Sequence, residues 1–209
     1  MGTVPAFGDP PPPEAVEAAV KALAAGQVVG LPTDTVYGLA ADPFSTGGAD
    51  RLFRLKRRPR ELELPVLVAD EEQALSLTTA VPGTARRLME RFWPGALTVV
   101  LPRNPELVAD LGADDATVGL RCPAHPVPIA LCRAHGPIAT TSANHHGEPT
   151  LTTAAAVAGA FGEAVAVVLD GGTCEGSPST VVDCTGLAPK LLREGRVPWE
   201  DVLAAAAGA

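Results

Sequence analysis

Short apolar runs recur along the chain and alternate irregularly with helix-forming stretches. Each run is only a few residues long and is bounded by glycine, proline or polar residues, which is typical of buried β-strands. The runs lie at residues 28–31, 64–69, 97–101, 117–121, 137–144, 165–169, 180–184 and 190–193. Several follow one another without an intervening helix, so a simple strand–helix alternation is excluded. We therefore predict an α/β (α+β) fold, with a single domain, a twisted mixed sheet, helices packed on its faces and no Rossmann strand order.

The helical stretches carry their own start signals. Proline precedes several of them, because its fixed φ suits the first turn of a helix, and Asp70 has Gln73 at the spacing of a capping box. Helices are predicted at residues 14–25, 49–56, 70–77, 82–92, 126–135, 152–161 and from 198 onward. Residues 1–13 are rich in proline and glycine, so we predict a flexible N-terminal segment there and the folded domain over residues 14–209.

Composition limits the classes of function. The 209 residues carry a net charge of −8, which predicts weak or no direct nucleic-acid binding. No apolar run approaches the roughly 20 residues of a membrane helix, and the N-terminus lacks a secretory signal pattern, so a cytoplasmic protein is expected. The cysteines, which lack CxxC spacing, are predicted to be free thiols; they are Cys122, Cys132, Cys174 and Cys184.

The usual catalytic motifs are missing from the sequence. It contains no Walker-type phosphate loop, no Rossmann glycine fingerprint, no GxSxG elbow and no HExxH motif, which disfavours covalent or metal-dependent hydrolysis. The adjacent His145 and His146 would point to opposite faces of a strand, so no metal site is predicted.

Hydroxyl and cationic side chains collect instead at strand ends and in loops. They are Thr33, Thr35, Thr141, Ser142, Ser179, Thr180, Lys56, Arg58, Arg121 and Arg193, joined by the amide of Asn144. Such groups bind phosphates and carboxylates, so the residues alone predict an anion-binding pocket. An ordinary polar turn around Thr33 and a dipole-stabilising role for the cations at a helix C-terminus remain alternatives.

Six segments, in order, carry a resemblance to a known family. They are LPTDTVYGL at 31–39, LKRRP at 55–59, FWPGALTVV at 92–100, VGLRCP at 118–123, TSAN at 141–144 and PSTVVD at 178–183. Together they resemble the YrdC-like family of threonylcarbamoyl-AMP synthases over nearly the whole chain. The family's Lys-x-Arg and Ser-x-Asn signature is present as Lys56, Arg58, Ser142 and Asn144.

The resemblance implies a YrdC-like fold and a specific reaction. L-threonine, bicarbonate and ATP would become threonylcarbamoyl-AMP and pyrophosphate, with Mg²⁺ assisting, for the threonylcarbamoyladenosine modification of tRNA. Partner proteins of tRNA modification are implied as well. An N-carboxy oxygen would attack the α-phosphorus, and the pocket would shield this labile carbamate from water.

The resemblance also assigns roles to residues. Lys56 and Arg58 would neutralise phosphate charge as the catalytic pair, and Arg121 would bind the threonine carboxylate. The residues implied to orient the amino acid are Thr33, Thr35, Thr141 and Ser179. Those implied to surround the nucleotide, besides the catalytic pair, are Thr117, Ser142, Asn144 and Arg193.

The sequence departs from the family after the Arg-Pro step. Leu62 stands where the family frequently has a lysine, and Glu61 and Glu63 flank it. A charge-assisted phosphate contact contributes about 1.5–3 kcal/mol, and Arg60 is the neighbouring cation that could replace it. A paralogue acting on a different carbamoyl-adenylate or amino acid is therefore a second hypothesis. A non-catalytic RNA-binding or regulatory module, based on the basic cluster at 56–60, is a third.

Overall fold

The computed structural model describes residues 2–107, 109–112, 116–145 and 147–208. Its strands are β1 Gly2–Pro5, β2 Val29–Leu31, β3 Gly38–Ala41, β4 Val66–Leu67, β5 Leu97–Pro102, β6 Thr117–Arg121, β7 Ile138–Ser142, β8 Val167–Asp170, β9 Thr180–Asp183 and β10 Lys190–Arg193. Its α-helices are α1 Pro13–Ala24, α2 Gly48–Lys56, α3 Glu71–Leu75, α4 Gly83–Phe92, α5 Pro126–His135, α6 Ala154–Phe161 and α7 Trp199–Ala207, and a 3₁₀ turn covers Gly162–Ala164.

The strands form one mixed sheet, as predicted. Their order is β1–β8–β2–β3–β7–β4–β6–β5–β9–β10. The parallel pairs are β1–β8, β2–β8, β4–β6 and β5–β9. The antiparallel pairs are β2–β3, β3–β7, β4–β7, β5–β6 and β9–β10. This order brings the polar ends of strands that are distant in sequence close together.

Helices pack on both faces of the sheet. Successive strand residues belong to different cores, since Leu39 and Ala41 lie in the larger core and Ala40 in the smaller one. This alternation is what a pleated strand buried on both faces requires. Helices α1 and α5 cover the smaller core with Leu23 and Leu131. The larger core is covered by α2, α4, α6 and α7, which contribute Leu52, Leu88, Val157 and Val202.

The N-terminal segment departs from the prediction. The sequence predicts flexibility over residues 1–13, whereas Gly2–Pro5 forms the edge strand β1 and pairs in parallel with β8. An edge position accommodates Pro5, because a missing N–H can face away from the ladder. Local composition does not reveal this strand, since its stability comes from a partner about 165 residues away in sequence.

Most helix bounds are confirmed to within a residue or two, and the predicted cap of α3 is present. Asp70 accepts a hydrogen bond from the backbone N–H of Gln73, and the Gln73 side chain accepts one from the Ala69 N–H. Two elements are shorter than predicted. Helix α3 ends at Leu75. Strand β4 contains only two residues. On either side of it, the Leu64 N–H donates to the Leu111 carbonyl and the Val68 N–H donates to the Arg121 carbonyl, outside the β4–β7 ladder.

A histidine caps helix α5. The Nδ1 atom of His125 accepts a hydrogen bond of 3.2 Å from the Val127 N–H. Burial lowers the pKa of His125 below its usual 6.5, although Asp34 opposes the shift. Protonation would turn the accepting nitrogen into a donor and break the cap.

We expect the free energy of unfolding to fall as the pH drops below about 6.5, because the unfolded chain then binds a proton at His125 that the folded chain resists. His125→Asn keeps a side chain that can cap a helix and should remove this part of the pH dependence. Urea unfolding at about pH 5.5 and about pH 7.5 measures it. An unchanged slope in the variant would contradict the assignment. His125→Ala should lose both the slope and about 1 kcal/mol at neutral pH.

Among the helices of the described residues, none combines the length and apolar character needed to cross a membrane.

Candidate functional site

A cavity of about 250 Å³ lies where several strand ends and loops meet. Its walls come from the turn after β2, the ends of β6 and β7, and the segments that precede β9 and end β10. Eight of the residues proposed from the sequence line it, namely Thr33, Thr35, Arg58, Arg121, Thr141, Ser142, Ser179 and Arg193. Hydroxyls and guanidinium groups from six separate segments, including the loop after α2 that carries Arg58, therefore share one space.

The turn at residues 33–36, here called the site turn, is shaped by its own threonines. Pairing stops at Leu31, and Pro32 follows, which cannot donate to a ladder. Thr33 Oγ1 donates to the Val36 carbonyl at 2.7 Å and accepts from the Thr35 and Val36 N–H groups. The two threonine hydroxyls also touch at 2.8 Å. The sequence thus forms a side-chain-stabilised turn that presents hydroxyls to the cavity.

Arg121, at the end of β6, is the most constrained cation of the site. Its Nη2 forms an ion pair with Asp34 Oδ1 at 2.6 Å, and both side chains are about nine-tenths buried. Its Nη1 donates to Thr35 Oγ1, and its Nε donates to the Gly95 carbonyl. These bonds use three of the five N–H donors of a guanidinium. Two N–H groups remain for a carboxylate at the cavity wall.

Ser179 and Arg193 form a second cluster. The Arg193 guanidinium donates to the Ser179 carbonyl at 2.9 Å and to the Ser179 hydroxyl at 3.1 Å. The Ser179 hydroxyl also contacts Thr98 Oγ1 at 3.0 Å. The antiparallel pairing of β9 and β10 brings Arg193 back beside the residue that precedes β9.

Three guanidinium groups influence one another across the cavity. Burial is the main cause that lowers the pKa of Arg58, and the charge of Arg193 lowers it further. Burial also lowers the pKa of Arg193 and of Arg121, where Asp34 opposes the shift. Among the described residues that line the cavity there is no carboxylate, and the carboxylate of Asp34, behind the wall, pairs with one of the three arginines, Arg121. The cavity therefore holds an excess of positive charge and favours an anion.

Lys56 and Asn144 contact the site from behind rather than lining the cavity. The Lys56 ammonium donates to the Ser142 carbonyl, to the Ser142 hydroxyl at 3.2 Å and to Asn144 Oδ1 at 2.9 Å. Asn144 in turn donates to the carbonyls of His145 and Glu148. Since these acceptors use all three ammonium N–H groups, Lys56 fixes the loop after β7 in this conformation.

Burial, as the main cause, and the charge of Arg58 together lower the pKa of Lys56 from 10.5 to about 8. Between those values the unfolded chain binds a proton at Lys56 more readily than the folded chain, so unfolding free energy rises with pH. We expect this rise to be smaller in Lys56→Met. Urea unfolding of both proteins at about pH 8 and about pH 10 measures it, because titrations common to both cancel. Parallel pH profiles would contradict the prediction.

Thr117 and Thr180 do not line the cavity. Thr117 starts β6, and its hydroxyl contacts Glu63 Oε2 at 3.4 Å. The fully buried Thr180 donates to the Val197 carbonyl and accepts from the Gly195 and Val197 N–H groups. Thr180 therefore fixes the segment after β10.

Arg60 does not replace the lysine that the family frequently has at position 62. Its guanidinium pairs with Asp50 at 2.8 Å and Asp110 at 2.5 Å, and it lies 4.8 Å from the Phe53 ring centre. Leu62 is partly exposed. The Leu62 carbonyl, together with that of Glu63, instead accepts from the Arg58 guanidinium.

Some site residues were not identified from the sequence. Asp34 is one of them, and it lies between Thr33 and Thr35, which the sequence did identify. Its negative charge, opposite to that of Arg121, is a signal from which it could have been identified. The other hydroxyls of the lining are Thr98, Thr140 and Thr150. Thr98 and Thr140 lie inside apolar strands, where nothing local distinguishes them from ordinary strand residues.

Within the described ranges, no three His, Cys, Asp or Glu side chains converge as ligands of a metal ion. The His145 ring packs 5.0 Å from the Phe161 ring, and His146 lies outside the described residues. The cysteines are buried free thiols, as predicted.

Comparison with known proteins identifies the family. The Sua5/YciO/YrdC family model, described as telomere recombination, matches residues 21–195. The chain belongs to this family, which confirms the resemblance drawn from the six segments.

Relatives with assigned names agree with this membership. A putative threonylcarbamoyl-AMP synthase of Mycobacterium tuberculosis strain H37Rv is 43% identical over 188 residues, covering 90% of this chain and 87% of the relative. The threonylcarbamoyl-AMP synthase of Bacillus subtilis strain 168 is 42% identical over 179 residues, covering 84% of this chain. This chain spans only 52% of the Bacillus protein.

Two solved structures share the fold. P. abyssi Sua5 complexed with L-threonine has a TM-score of 0.92 and 35% identity, covering 98% of this chain and 61% of that one. E. coli YciO has a TM-score of 0.89 and 26% identity, covering 97% and 99%. This chain thus spans about three-fifths of the P. abyssi protein and nearly the whole of YciO.

Proposed function

We propose that the chain makes threonylcarbamoyl-AMP and pyrophosphate from L-threonine, bicarbonate and ATP. The observation that carries the proposal is the cavity that Arg58, Arg121 and Arg193 line together with the hydroxyls of Thr33, Thr35, Thr141 and Ser179. One substrate of this reaction has a carboxylate, and the other has a triphosphate. Relatives of similar length carry the synthase name, and a structure that superposes on 98% of the chain contains L-threonine.

The amino acid would bind beside the site turn. Its carboxylate would take the two remaining N–H groups of Arg121, while Thr33, Thr35, Thr141 and Ser179 orient its polar groups. The hydroxyls of Thr33, Thr35 and Ser179 are held by contacts within the protein, so they have little rotational freedom left to lose on binding. Preorganised donors of this kind favour a small, rigidly held substrate.

The proposed reaction has two steps. The threonine amine attacks bicarbonate, which yields an N-carboxylate and water. A carboxylate oxygen next attacks the α-phosphorus of ATP, the new P–O bond forms, and pyrophosphate leaves. Arg58 and Arg193 would stabilise the charge that develops on the phosphates. Ser142 would lie near the nucleotide, held in place by Lys56 and Asn144.

Mg²⁺ would arrive with ATP rather than reside on the protein. Mg²⁺ prefers oxygen ligands and commonly uses one or two carboxylates plus substrate phosphates. The described lining of the cavity offers hydroxyls and guanidinium groups but no carboxylate. This donor set does not fit a resident Mg²⁺.

The product is an activated acyl phosphate, which suits a following transfer of the threonylcarbamoyl group to tRNA by partner proteins. Direct RNA binding by this chain is the weaker hypothesis, because the basic cluster at 56–60 does not form one exposed surface. Lys56 is buried, Arg58 faces the cavity and Arg60 is paired with carboxylates.

The test is pyrophosphate release with ATP, bicarbonate and single amino acids, with the product identified by mass spectrometry. We expect release to depend on threonine and bicarbonate together, with a product of the mass of threonylcarbamoyl-AMP. An adduct with a different amine and none with threonine would favour the paralogue hypothesis. Tight tRNA binding with a steep salt dependence and no pyrophosphate would favour the RNA-binding module.

A further inference from the structure

The ion pair of Arg121 depends on where the site turn places Asp34. Asp34, which orients Arg121, lies in the site turn between the paired ends of β2 and β3. The backbone carbonyl of Asp34 accepts a 2.6 Å hydrogen bond from Arg196 Nη1. Asp34 is therefore held on two sides, by Arg121 through its carboxylate and by Arg196 through its backbone.

Arg196 is well placed to hold the turn because its own backbone is fixed. Its N–H donates to the Pro178 carbonyl at 2.9 Å, and the N–H groups of both neighbours, Gly195 and Val197, bind the Thr180 hydroxyl. A side chain at position 195 would come within 2.4 Å of the Pro178 carbonyl oxygen. This close approach anchors residues 195–197 against the segment that carries Ser179.

The Arg196 side chain crosses from that anchor to the site turn. Its Nη1 also forms an ion pair of 2.8 Å with Glu175 Oε2. Arg196 does not line the cavity; it lines an outer groove, where Asp34, Glu175 and Arg91 are further lining residues. The Arg196 guanidinium thus joins the two segments that supply Thr35 and Ser179 to the cavity. It lies outside the cavity itself.

We propose that Arg196 is a positioning residue that sets the orientation of Arg121 through Asp34. The proposal rests on the proposed function, in which Arg121 binds the carboxylate of the amino acid. The hydrogen bond to the Asp34 carbonyl carries the effect. The ion pair with Glu175 contributes little, because both side chains are substantially exposed.

The test measures two Michaelis constants and the local exchange of backbone amides in the full chain. In Arg196→Met we expect the KM for threonine to rise about tenfold, as follows from loss of one charge-assisted hydrogen bond. The KM for ATP should stay within about twofold, because Arg58 and Arg193 do not contact the site turn. Hydrogen exchange should become faster in residues 33–37 of the unliganded protein.

Three further variants complete the test. Arg196→Lys should recover part of the threonine KM, since an ammonium can still donate to one acceptor. Glu175→Gln should change the KM by less than about twofold, and so should Arg91→Met, an arginine of the same groove without a contact to Asp34. A loss in Glu175→Gln equal to that in Arg196→Met would overturn the assignment to the Asp34 contact.

Two other outcomes separate this proposal from the proposed function. The positioning role would be overturned if Arg196→Met raised the KM for threonine and the KM for ATP equally. It would also be overturned if this variant kept the wild-type KM for threonine and the wild-type rate of amide hydrogen exchange. Absence of threonine-dependent pyrophosphate release from the wild type would instead overturn the proposed function. In that case, the exchange of residues 33–37 still decides whether Arg196 holds the turn.

Discussion

Replacement of Arg121 by methionine is expected to abolish threonine-dependent pyrophosphate release and to destabilise the protein. The variant leaves the Asp34 carboxylate in a largely buried position without its partner. Removal of one member of a buried pair lowers the free energy of unfolding by about 3–5 kcal/mol. Loss of two donors to the substrate carboxylate should lower kcat/KM at least about a hundredfold. Urea unfolding and the pyrophosphate assay measure the two effects.

The double variant Asp34→Asn/Arg121→Met separates stability from activity. A neutral amide has a much smaller desolvation cost than an unpaired carboxylate, so the second substitution should restore much of the lost free energy of unfolding. Activity should not return, because the substrate still lacks its partner. If the double variant were as unstable as Arg121→Met, the cost could not be assigned to the unpaired charge of Asp34.

The elements of the fold were largely predictable because their signals are local. The alternation of Thr117–Arg121 and the Pro126 start of α5 gave bounds identical to those observed. The N-cap of α3 by Asp70 was likewise predictable, from the spacing of Asp70 and Gln73 alone. Strand β1 was not predictable in this way, because its partner β8 lies at the other end of the chain. Local propensity contains no information on such a pairing.

The types of side chain that line the cavity were predictable, but the individual contacts among them were not. Hydroxyls and cations after strands indicate an anion pocket, and the resemblance to the family named the residues. Neither indicates that Ser142 and Asn144 accept all three ammonium hydrogen bonds of Lys56, because two segments that are distant in sequence must meet before these bonds exist. The place of Arg196 depends on the same kind of long-range packing.

Arg58 and Arg60, which precede Leu62, differ in their surroundings. Arg58 turns inward, donates to two carbonyls of its own loop and lines the cavity. Arg60 turns outward and is held by Asp50 and Asp110. Because both carry the same charge, only their direction distinguishes them, and they form a matched pair for experiment.

We expect Arg58→Met to weaken the binding of a non-hydrolysable ATP analogue about ten- to a hundredfold, as loss of a charge-assisted contact of about 1.5–3 kcal/mol implies. Arg60→Met should change the affinity by less than about twofold, since exposed ion pairs contribute little beyond their own segment. Arg58→Lys should recover only part of the loss, because an ammonium lacks the planar fork of guanidinium. Titration calorimetry measures all three, and thermal unfolding verifies that each variant is folded. Equal losses in Arg58→Met and Arg60→Met would mean that overall charge, rather than the inward position of Arg58, governs nucleotide binding.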